Sequence, residues 1–264
     1  DSVRIPTSWF RHVTKTTDEN GNPVYTIDSR WLERVKEVVD YAYQQGMYVI
    51  LNLHHEEWIN RSDFATAYEE MSPQLKQMWT QIATYFADYD QHLIFEGMNE
   101  PRAANSGALE WNGNEACYEV VNKLDNDFIN TVRSVDSPYK DTRLLMIPGY
   151  AASAYSSIYG YLEIPKNDNY IAASVHAYCP YNFAMGDGDH MTFSDTNKTE
   201  LDKIFKDIQT TFTNEDIPVV IGEFSASNYN NTEARVDWAT YYLNWAKKLG
   251  IPCFLWDNNA INNG

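Results

Sequence analysis

Two glutamates occupy matching places in this sequence, each at the end of a short apolar segment. Glu100 follows Leu93–Met98, and Glu223 lies near the end of Pro218–Phe224. A pair of carboxyl groups can share one reaction, because one donates a proton to a leaving oxygen while the other attacks or activates water. The sequence contains no serine or cysteine nucleophile motif, so chemistry by two carboxylates is the first hypothesis.

Other polar and aromatic residues also gather at the ends of apolar segments. Each has a structural interpretation when taken alone, as an ion-pair partner, a core histidine or a packing residue. Their repeated position at the same end of several segments favours a shared site instead. These candidates are Arg4, His54, His55, Asn99, His176, Tyr178, Trp256 and Asp257.

The segments that carry these residues read as strands that alternate with helices. Strands that are apolar on both faces and alternate with helices predict a parallel sheet covered by helices, with all the carboxyl ends on one side. The predicted strands are Val3–Trp9, Met47–His55, Leu93–Met98, Leu144–Tyr150, Tyr170–Tyr178, Pro218–Phe224 and Cys253–Asp257. The predicted helices run from Ser29 to Gly46, from an N-cap at Ser72-Pro73 to about Tyr89, and over Glu115–Val135, Asn197–Phe212 and Thr232–Leu249, with one short helix between Ala151 and Pro165.

This pattern predicts an α/β fold, a (β/α)8 TIM barrel, formed by residues 1–264 as a single domain. The typical barrel size of about 250 residues fits the chain, and no repeat or flexible linker divides it. An open doubly wound sheet is the alternative, but the phosphate-binding patterns GxGxxG and GxxxxGK[ST] are both absent.

Composition excludes several classes of partner. A formal net charge of −17 repels phosphate backbones, so we expect no nucleic acid partner. No apolar run reaches the roughly 18 residues that span a bilayer, so we expect no membrane partner either. The 8 Trp and 19 Tyr suit a site that stacks on sugar rings. The three cysteines lack CxxC spacing and are best interpreted as buried thiols.

Glycoside hydrolysis is the reaction that most directly needs two carboxyl groups. The chain also resembles glycoside hydrolase family 5, in its endo-β-1,4-glucanase (cellulase) branch. The motifs that carry this resemblance span nearly the whole chain in the order VRIPTSW, VILNLHHE, FEGMNEPR with a following EW, SVHAYCPYNF, VVIGEF and FLWDNN.

The resemblance implies a retaining, two-step mechanism with Glu100 as acid/base and Glu223 as nucleophile. Glu100 must then hold a proton at working pH, whereas Glu223 must be ionised. Arg4 would attract the ionised Glu223, Tyr178 would orient it, and Asn99 would bind the 2-hydroxyl of the sugar at the cleavage point. His54 and His176 would complete the polar ring, with His55 as the alternative to His54.

Substrate contacts are predicted from aromatic residues near the strand ends. Trp256 would be the platform under the central sugar, with Asp257 beside it. Packing is the alternative for each of the others, which are Trp9, Trp58, Trp111 and Tyr181. No metal or other cofactor is expected, because the histidines lack HExxH or HxH spacing.

The resemblance implies that the first barrel strand and helix and the last helix lie outside this chain. We therefore expect the chain to be part of a longer, secreted polypeptide that acts on β-glucan. Carbohydrate-binding or docking modules could be attached to that polypeptide outside this chain. Three alternatives stay open: a mannanase, xylanase or lichenase on the same barrel, a metal-dependent barrel hydrolase, and a non-catalytic glycan-binding barrel.

Overall fold

The computed structural model describes residues 1–186 and 191–258. The chain divides into two compact units. The first comprises Asp1–Ala152 with Tyr161–Ala172, and the second comprises Ser153–Gly160 with Ala173–Gly264.

Four parallel strands and a hairpin form the sheet structure of the first unit. The parallel strands are adjacent in the order β1-β4-β5-β6, and the register places Asn52 beside Glu96. The antiparallel pair β2 and β3 was not predicted from the sequence. The strands are β1 (Ser2–Ile5), β2 (Val13–Thr17), β3 (Pro23–Ile27), β4 (Tyr48–Asn52), β5 (Leu93–Glu96) and β6 (Leu145–Ser153).

Helices of the first unit begin at capped positions. The Asp28 side chain accepts a hydrogen bond from the Arg30 N–H at the start of α1, and the Asn114 side chain accepts one from the Cys117 N–H at the start of α4. Such caps satisfy backbone donors that have no partner within the helix. The helices are α1 (Ser29–Tyr43), α2 (Tyr68–Tyr85), α3 (Ala108–Asn112) and α4 (Glu115–Ser134).

The predicted start of α2 at Ser72-Pro73 is wrong. The helix begins at Tyr68 and encloses Pro73, and both Met71 and Ser72 are buried. Met71 extends the apolar stripe of Leu75 and Met78 by one turn, so burial of this face favours an earlier start. Because Pro73 has no backbone N–H, it removes only one backbone hydrogen bond near the start of the helix.

Three parallel strands lie in the second unit and are adjacent in the order β7-β8-β9. The register places His176 beside Glu223, after a shift between Val175 and His176. A capping box of Ser194 and Asn197 starts the long helix α7. The elements are β7 (Ile171–His176), β8 (Val219–Phe224), β9 (Cys253–Leu255), α5 (Ser156–Tyr159), α6 (Tyr181–Ala184), α7 (Asp195–Thr211) and α8 (Thr232–Leu249).

Seven parallel strands alternate with helices along the chain, as the sequence pattern predicts. Most strands are shorter than predicted, because the polar residues at their ends lie in the loops that follow. Among the described residues, no helix combines the length and apolarity that a bilayer crossing needs.

Asp125 is a buried acid in the interior of α4. Asp125 is 1% exposed, and neither of its carboxyl oxygens has a hydrogen-bond partner among the described residues. Burial raises the pKa of this carboxyl well above its usual value, because the charged form loses its hydration. The folded environment of Asp125 therefore favours the neutral form of its carboxyl group.

We expect Asp125→Asn to stabilise the protein at neutral pH. The unfolded chain ionises Asp125 near pH 3.9, so the stability that this group provides is full below that pH and is lost as the pH rises toward the folded-state pKa. The free energy of unfolding in urea should rise at pH 7 and rise by clearly less at pH 4.5. Asp136→Asn, at an exposed position just after the same helix, is the control. An equal effect of Asp125→Asn at both pH values would contradict this account.

Candidate active site

Arg4 anchors a polar network in the first unit. It lies in β1 and is 8% exposed. Its Nε donates to Glu96 Oε2 at 2.7 Å, and its Nη2 donates to Asn99 Oδ1 at 2.7 Å. The network joins Arg4 to Asn99, as expected if both belong to one site. The predicted attraction between Arg4 and Glu223 stays a prediction.

Glu96 and Asn52 belong to this network and were missed by the sequence analysis. Glu96 is fully buried in β5 and accepts from both Arg4 and Asn52 Nδ2, the latter at 2.9 Å. Asn52 Oδ1 accepts from the Thr7 N–H at 3.1 Å. A buried carboxylate needs such partners, because an unpaired charge in the interior is costly. The one available signal was a glutamate at the end of the otherwise apolar segment Leu93–Glu96.

Asn99 presents one defined donor. Because Arg4 donates to its Oδ1, the side-chain amide is oriented with Nδ2 on the other side. Asn99 is 3% exposed, and Nδ2 has no hydrogen-bond partner within the described ranges 1–186 and 191–258. A buried donor of this kind gains free energy from any ligand that accepts its hydrogen bond.

The two adjacent histidines lie in different environments. His54 is buried, and its Nδ1 lies 3.3 Å from Asn52 Nδ2. His55 is exposed and has a backbone φ of 52°, and its ring meets that of His54 edge-on at 4.2 Å. The structure therefore brings His54 into the Arg4 network and leaves His55 on the solvent side.

Glu100 lies in the loop that follows β5, beside a cation that the sequence analysis did not single out. Arg102 Nη1 donates to the Glu100 carbonyl at 3.1 Å and lies 3.4 Å from Glu100 Oε2. The Glu100 side chain is 14% exposed. A cation at this distance favours the ionised carboxylate, which opposes the requirement for a proton on a general acid.

Glu223 is the centre of a second cluster, in the second unit. It is 5% exposed, and the Tyr178 hydroxyl donates to its Oε2 at 2.6 Å. His176 Nδ1 lies 3.7 Å from the same oxygen. A hydroxyl that donates to a carboxylate stabilises its charged form. The structure thus brings together three of the predicted residues in the second unit.

Gly222 allows this approach of His176. A Cβ added at Gly222 would lie 3.1 Å from His176 Nε2 and 3.3 Å from Ser174 Oγ, which is tighter than ordinary contact. A side chain at position 222 would therefore require His176 or Ser174 to move by a few tenths of an ångström. Close approach of this kind is a common reason for glycine inside a strand.

The predicted aromatic contacts differ in exposure. Trp111 and Tyr181 are 53% and 58% exposed, and Trp58 and Trp256 are half-buried. The backbone N–H of Trp256 donates to the Phe224 carbonyl at 3.0 Å, and Asp257 is exposed.

Trp9 has no exposed surface, and its Nε1 donates to the Asn52 carbonyl. The prediction that Trp9 lines a sugar subsite is therefore wrong. Its ring is large and apolar, and its one polar atom is satisfied inside the protein, so packing explains it fully.

A buried carboxylate holds two tryptophans in the first unit. Glu56 Oε1 accepts from the backbone N–H of Trp9 at 2.5 Å, and Glu56 Oε2 accepts from the indole Nε1 of Trp58 at 2.7 Å. Glu56 is 2% exposed, and burial, aided by the nearby charge of Glu57, raises its pKa to about 7 despite these donors. Glu56 was not predicted as a functional residue. The orientation of Trp58 therefore depends on a group that titrates near neutrality.

We expect the indole N–H resonance of Trp58 to titrate with a midpoint of about 7. Protonation of Glu56 places an O–H where an acceptor is needed, so it weakens one of these hydrogen bonds. The Trp79 indole, which donates to the Gly97 carbonyl at 3.0 Å, should not titrate and is the internal control. Glu56→Gln should abolish the transition. A Trp58 resonance that is constant from pH 5 to 9 would show that the pKa of Glu56 lies outside this range.

Comparisons with known proteins add an independent finding. The family model described as Cellulase (glycosyl hydrolase family 5) matches residues 1–262. Endoglucanase B of Ruminococcus albus is 43% identical to this chain over 265 residues, which cover 99% of this chain and 61% of the relative. The chain spans 53% and 62% of two further curated relatives.

Solved structures match over the whole chain. A GH5-4 broad specificity endoglucanase from Ruminococcus flavefaciens has a TM-score of 0.90 at 50% identity, covering 99% of this chain and 73% of that one. A GH5 xyloglucan-specific endo-β-1,4-glucanase from a metagenomic library, solved in complex with cellotriose, has a TM-score of 0.91 at 36% identity, covering 100% and 76%. These matches confirm the predicted α/β barrel fold.

Proposed function

Because this chain belongs to glycosyl hydrolase family 5, the cellulase family, we propose that it cleaves internal β-1,4-glucosidic bonds of β-glucans with retention of configuration. The observation that carries the proposal is the hydrogen bond from Tyr178 to the buried Glu223, at 2.6 Å. It stabilises an ionised carboxylate in a fixed orientation, which is what a nucleophile requires.

The reaction proceeds in two displacements. In the first, Glu223 attacks the anomeric carbon while Glu100 gives its proton to the glycosidic oxygen, so the aglycone leaves and a glycosyl ester forms on Glu223. In the second, Glu100 takes a proton from water, whose oxygen attacks the anomeric carbon and releases Glu223. Two inversions give net retention, and this mechanism requires carboxyl groups about 5–5.5 Å apart.

The polar networks support this division of roles. Asn99 Nδ2, with Oδ1 held by Arg4, is oriented to donate to the sugar 2-hydroxyl, a contact that strengthens in the transition state. Arg4 places a positive charge beside Asn99, and Tyr178 orients Glu223 for attack. His54 and His176 complete the polar lining around the sugar.

Aromatic side chains provide the surface for further glucose units. Trp256 is the proposed platform for the sugar at the cleavage point, and Asp257 and His55 are also proposed to contact the substrate. The exposed rings of Trp111 and Tyr181 and the half-buried ring of Trp58 are proposed to stack on neighbouring sugars.

β-Glucan is the proposed substrate because the matched structures are named as broad-specificity and xyloglucan-specific endoglucanases, one of them with cellotriose bound. A polymer of this kind does not enter cells, so we propose that the protein acts outside the cell. The longer curated relatives support a place within a polypeptide that carries further modules.

The test is reducing-end release from carboxymethylcellulose, mixed-linkage β-glucan, xyloglucan, xylan and mannan, with viscosity followed in parallel. A fast fall in the viscosity of the glucans with few new reducing ends supports the proposal. Activity confined to xylan or mannan would replace the substrate. Binding of glucan without any cleavage by the folded protein would favour a non-catalytic glycan-binding barrel.

A further inference from the structure

Arg102 lies two residues after the proposed general acid and contacts two acidic side chains in the same unit. Its Nη1 lies 3.4 Å from Glu100 Oε2, and its Nε lies 3.3 Å from Glu110 Oε1. The side chains of Arg102 and Glu100 are 14% exposed, and that of Glu110 is 23% exposed. Water therefore screens these charges only in part, and each should influence the others' protonation.

Backbone and ring contacts fix the position of this cation. The Arg102 N–H donates to Asn60 Oδ1 at 3.2 Å, and the guanidinium carbon lies 4.4 Å from the centre of the Trp111 ring. The other oxygen of Glu110 accepts from the Asn105 N–H at 3.0 Å. The cation and its second acidic partner are thus both held in place, and the positive charge of Arg102 is divided between two carboxyl groups.

The proposed mechanism places opposite demands on Glu100. In the first step it must carry a proton, which a neighbouring cation disfavours. In the second step it must act as a base, and after losing its proton it is stabilised by that cation. A cation whose charge is partly offset by another carboxylate satisfies both demands.

We propose that Arg102 and Glu110 form a charge pair that sets the proton affinity of Glu100, with Arg102 favouring the carboxylate and Glu110 offsetting it. This inference rests on the proposed function, because it assigns Glu100 as the general acid/base. Arg102 and Glu110 act through Glu100 and need not touch the substrate. Glu223 and His176, the other titratable groups of the proposed mechanism, are left unchanged by the variants below.

The test compares three variants by the pH dependence of kcat/KM on a β-glucan oligosaccharide. The basic limb of that profile reports deprotonation of the general acid in the free enzyme. Arg102→Met keeps an aliphatic side chain over Trp111 but removes the cation, so the basic limb should move up by about one pH unit. Glu110→Gln leaves Arg102 to act on Glu100 alone, so the limb should move to lower pH. Arg102→Lys retains the charge and should leave the limb closer to the wild-type position than Arg102→Met does.

The carboxyl carbon of Glu100, followed by ¹³C NMR, gives a readout that does not depend on activity. Its titration midpoint should rise in Arg102→Met and fall in Glu110→Gln, in variants whose thermal unfolding shows an intact fold. Shifts in the same direction, or no shift in either variant, would overturn the inference. NMR shifts of opposite sign in a protein that cleaves no glucan would instead support the charge pair and reject the proposed function.

Discussion

Glu223→Ala should lose β-glucan hydrolysis by on the order of 10⁴-fold or more, while the protein stays folded. The variant lacks the group that forms the glycosyl ester, so the first displacement has no nucleophile. Added azide should restore part of the turnover, because a small anion fits the space left by the carboxylate. Azide attacks the substrate directly, so a single displacement takes the place of the usual two. The product should therefore be the α-glycosyl azide.

The matched control for this experiment is Glu215→Ala, an exposed glutamate that precedes β8. It should retain wild-type turnover and should not respond to azide. A β-configured azide from Glu223→Ala would contradict the role of Glu223 as nucleophile, and so would undiminished hydrolysis.

Glu100→Ala should reduce activity by about 10²–10⁴-fold on unactivated oligosaccharides and far less on aryl glycosides with good leaving groups. An activated phenolate departs without a proton, so only the poor leaving group depends on the acid. The measurement is a plot of log kcat/KM against the pKa of the leaving group, which should be much steeper in the variant.

Azide distinguishes this variant from the first. The glycosyl ester still forms on Glu223, and azide attacks it from the face that water would use, so the product should be the β-glycosyl azide. The control is Glu119→Ala, an exposed position on α4. An equal loss on activated and unactivated substrates would contradict the assignment of Glu100 as the acid.

The strands and their end residues could be predicted because local pattern determines them. Apolar runs that end in polar residues marked Glu100, Glu223, His176 and Tyr178, and the structure joins the last three as one cluster. Helices α4 and α8 also lie where their periodicity predicts, within one or two residues. The carboxyl ends of parallel strands bring together residues that are distant in sequence. Position at a strand end was therefore sufficient to predict that these three residues lie close together.

Glu96 and Glu56 could not be predicted as supporting residues, because their roles depend on partners that are remote in sequence. Glu96 lies buried in β5, and its partner Arg4 is 92 residues earlier in the chain. The Trp9 ring is fully buried, and its Nε1 donates to the carbonyl of Asn52, 43 residues later in the chain, so Trp9 is a core residue rather than a platform. Sequence period alone does not distinguish a tryptophan that stacks on sugar from one that fills the interior.

The start of α2 shows the same limit for local structure. Ser72-Pro73 is a good helix start by itself, but burial of Met71 one turn earlier outweighs the local preference. Cap signals predict a boundary only where tertiary packing does not favour another one.

The most direct test of the account is to treat the protein with a 2-deoxy-2-fluoro β-cellobioside that carries an activated leaving group. The fluorine slows both displacements and the leaving group accelerates the first, so the glycosyl ester accumulates. Mass spectrometry of the intact protein and of its peptides should find one fluorocellobiosyl group, attached at Glu223. A label on another residue, or no label on an enzyme that hydrolyses glucan to products of inverted configuration, would contradict the proposed mechanism.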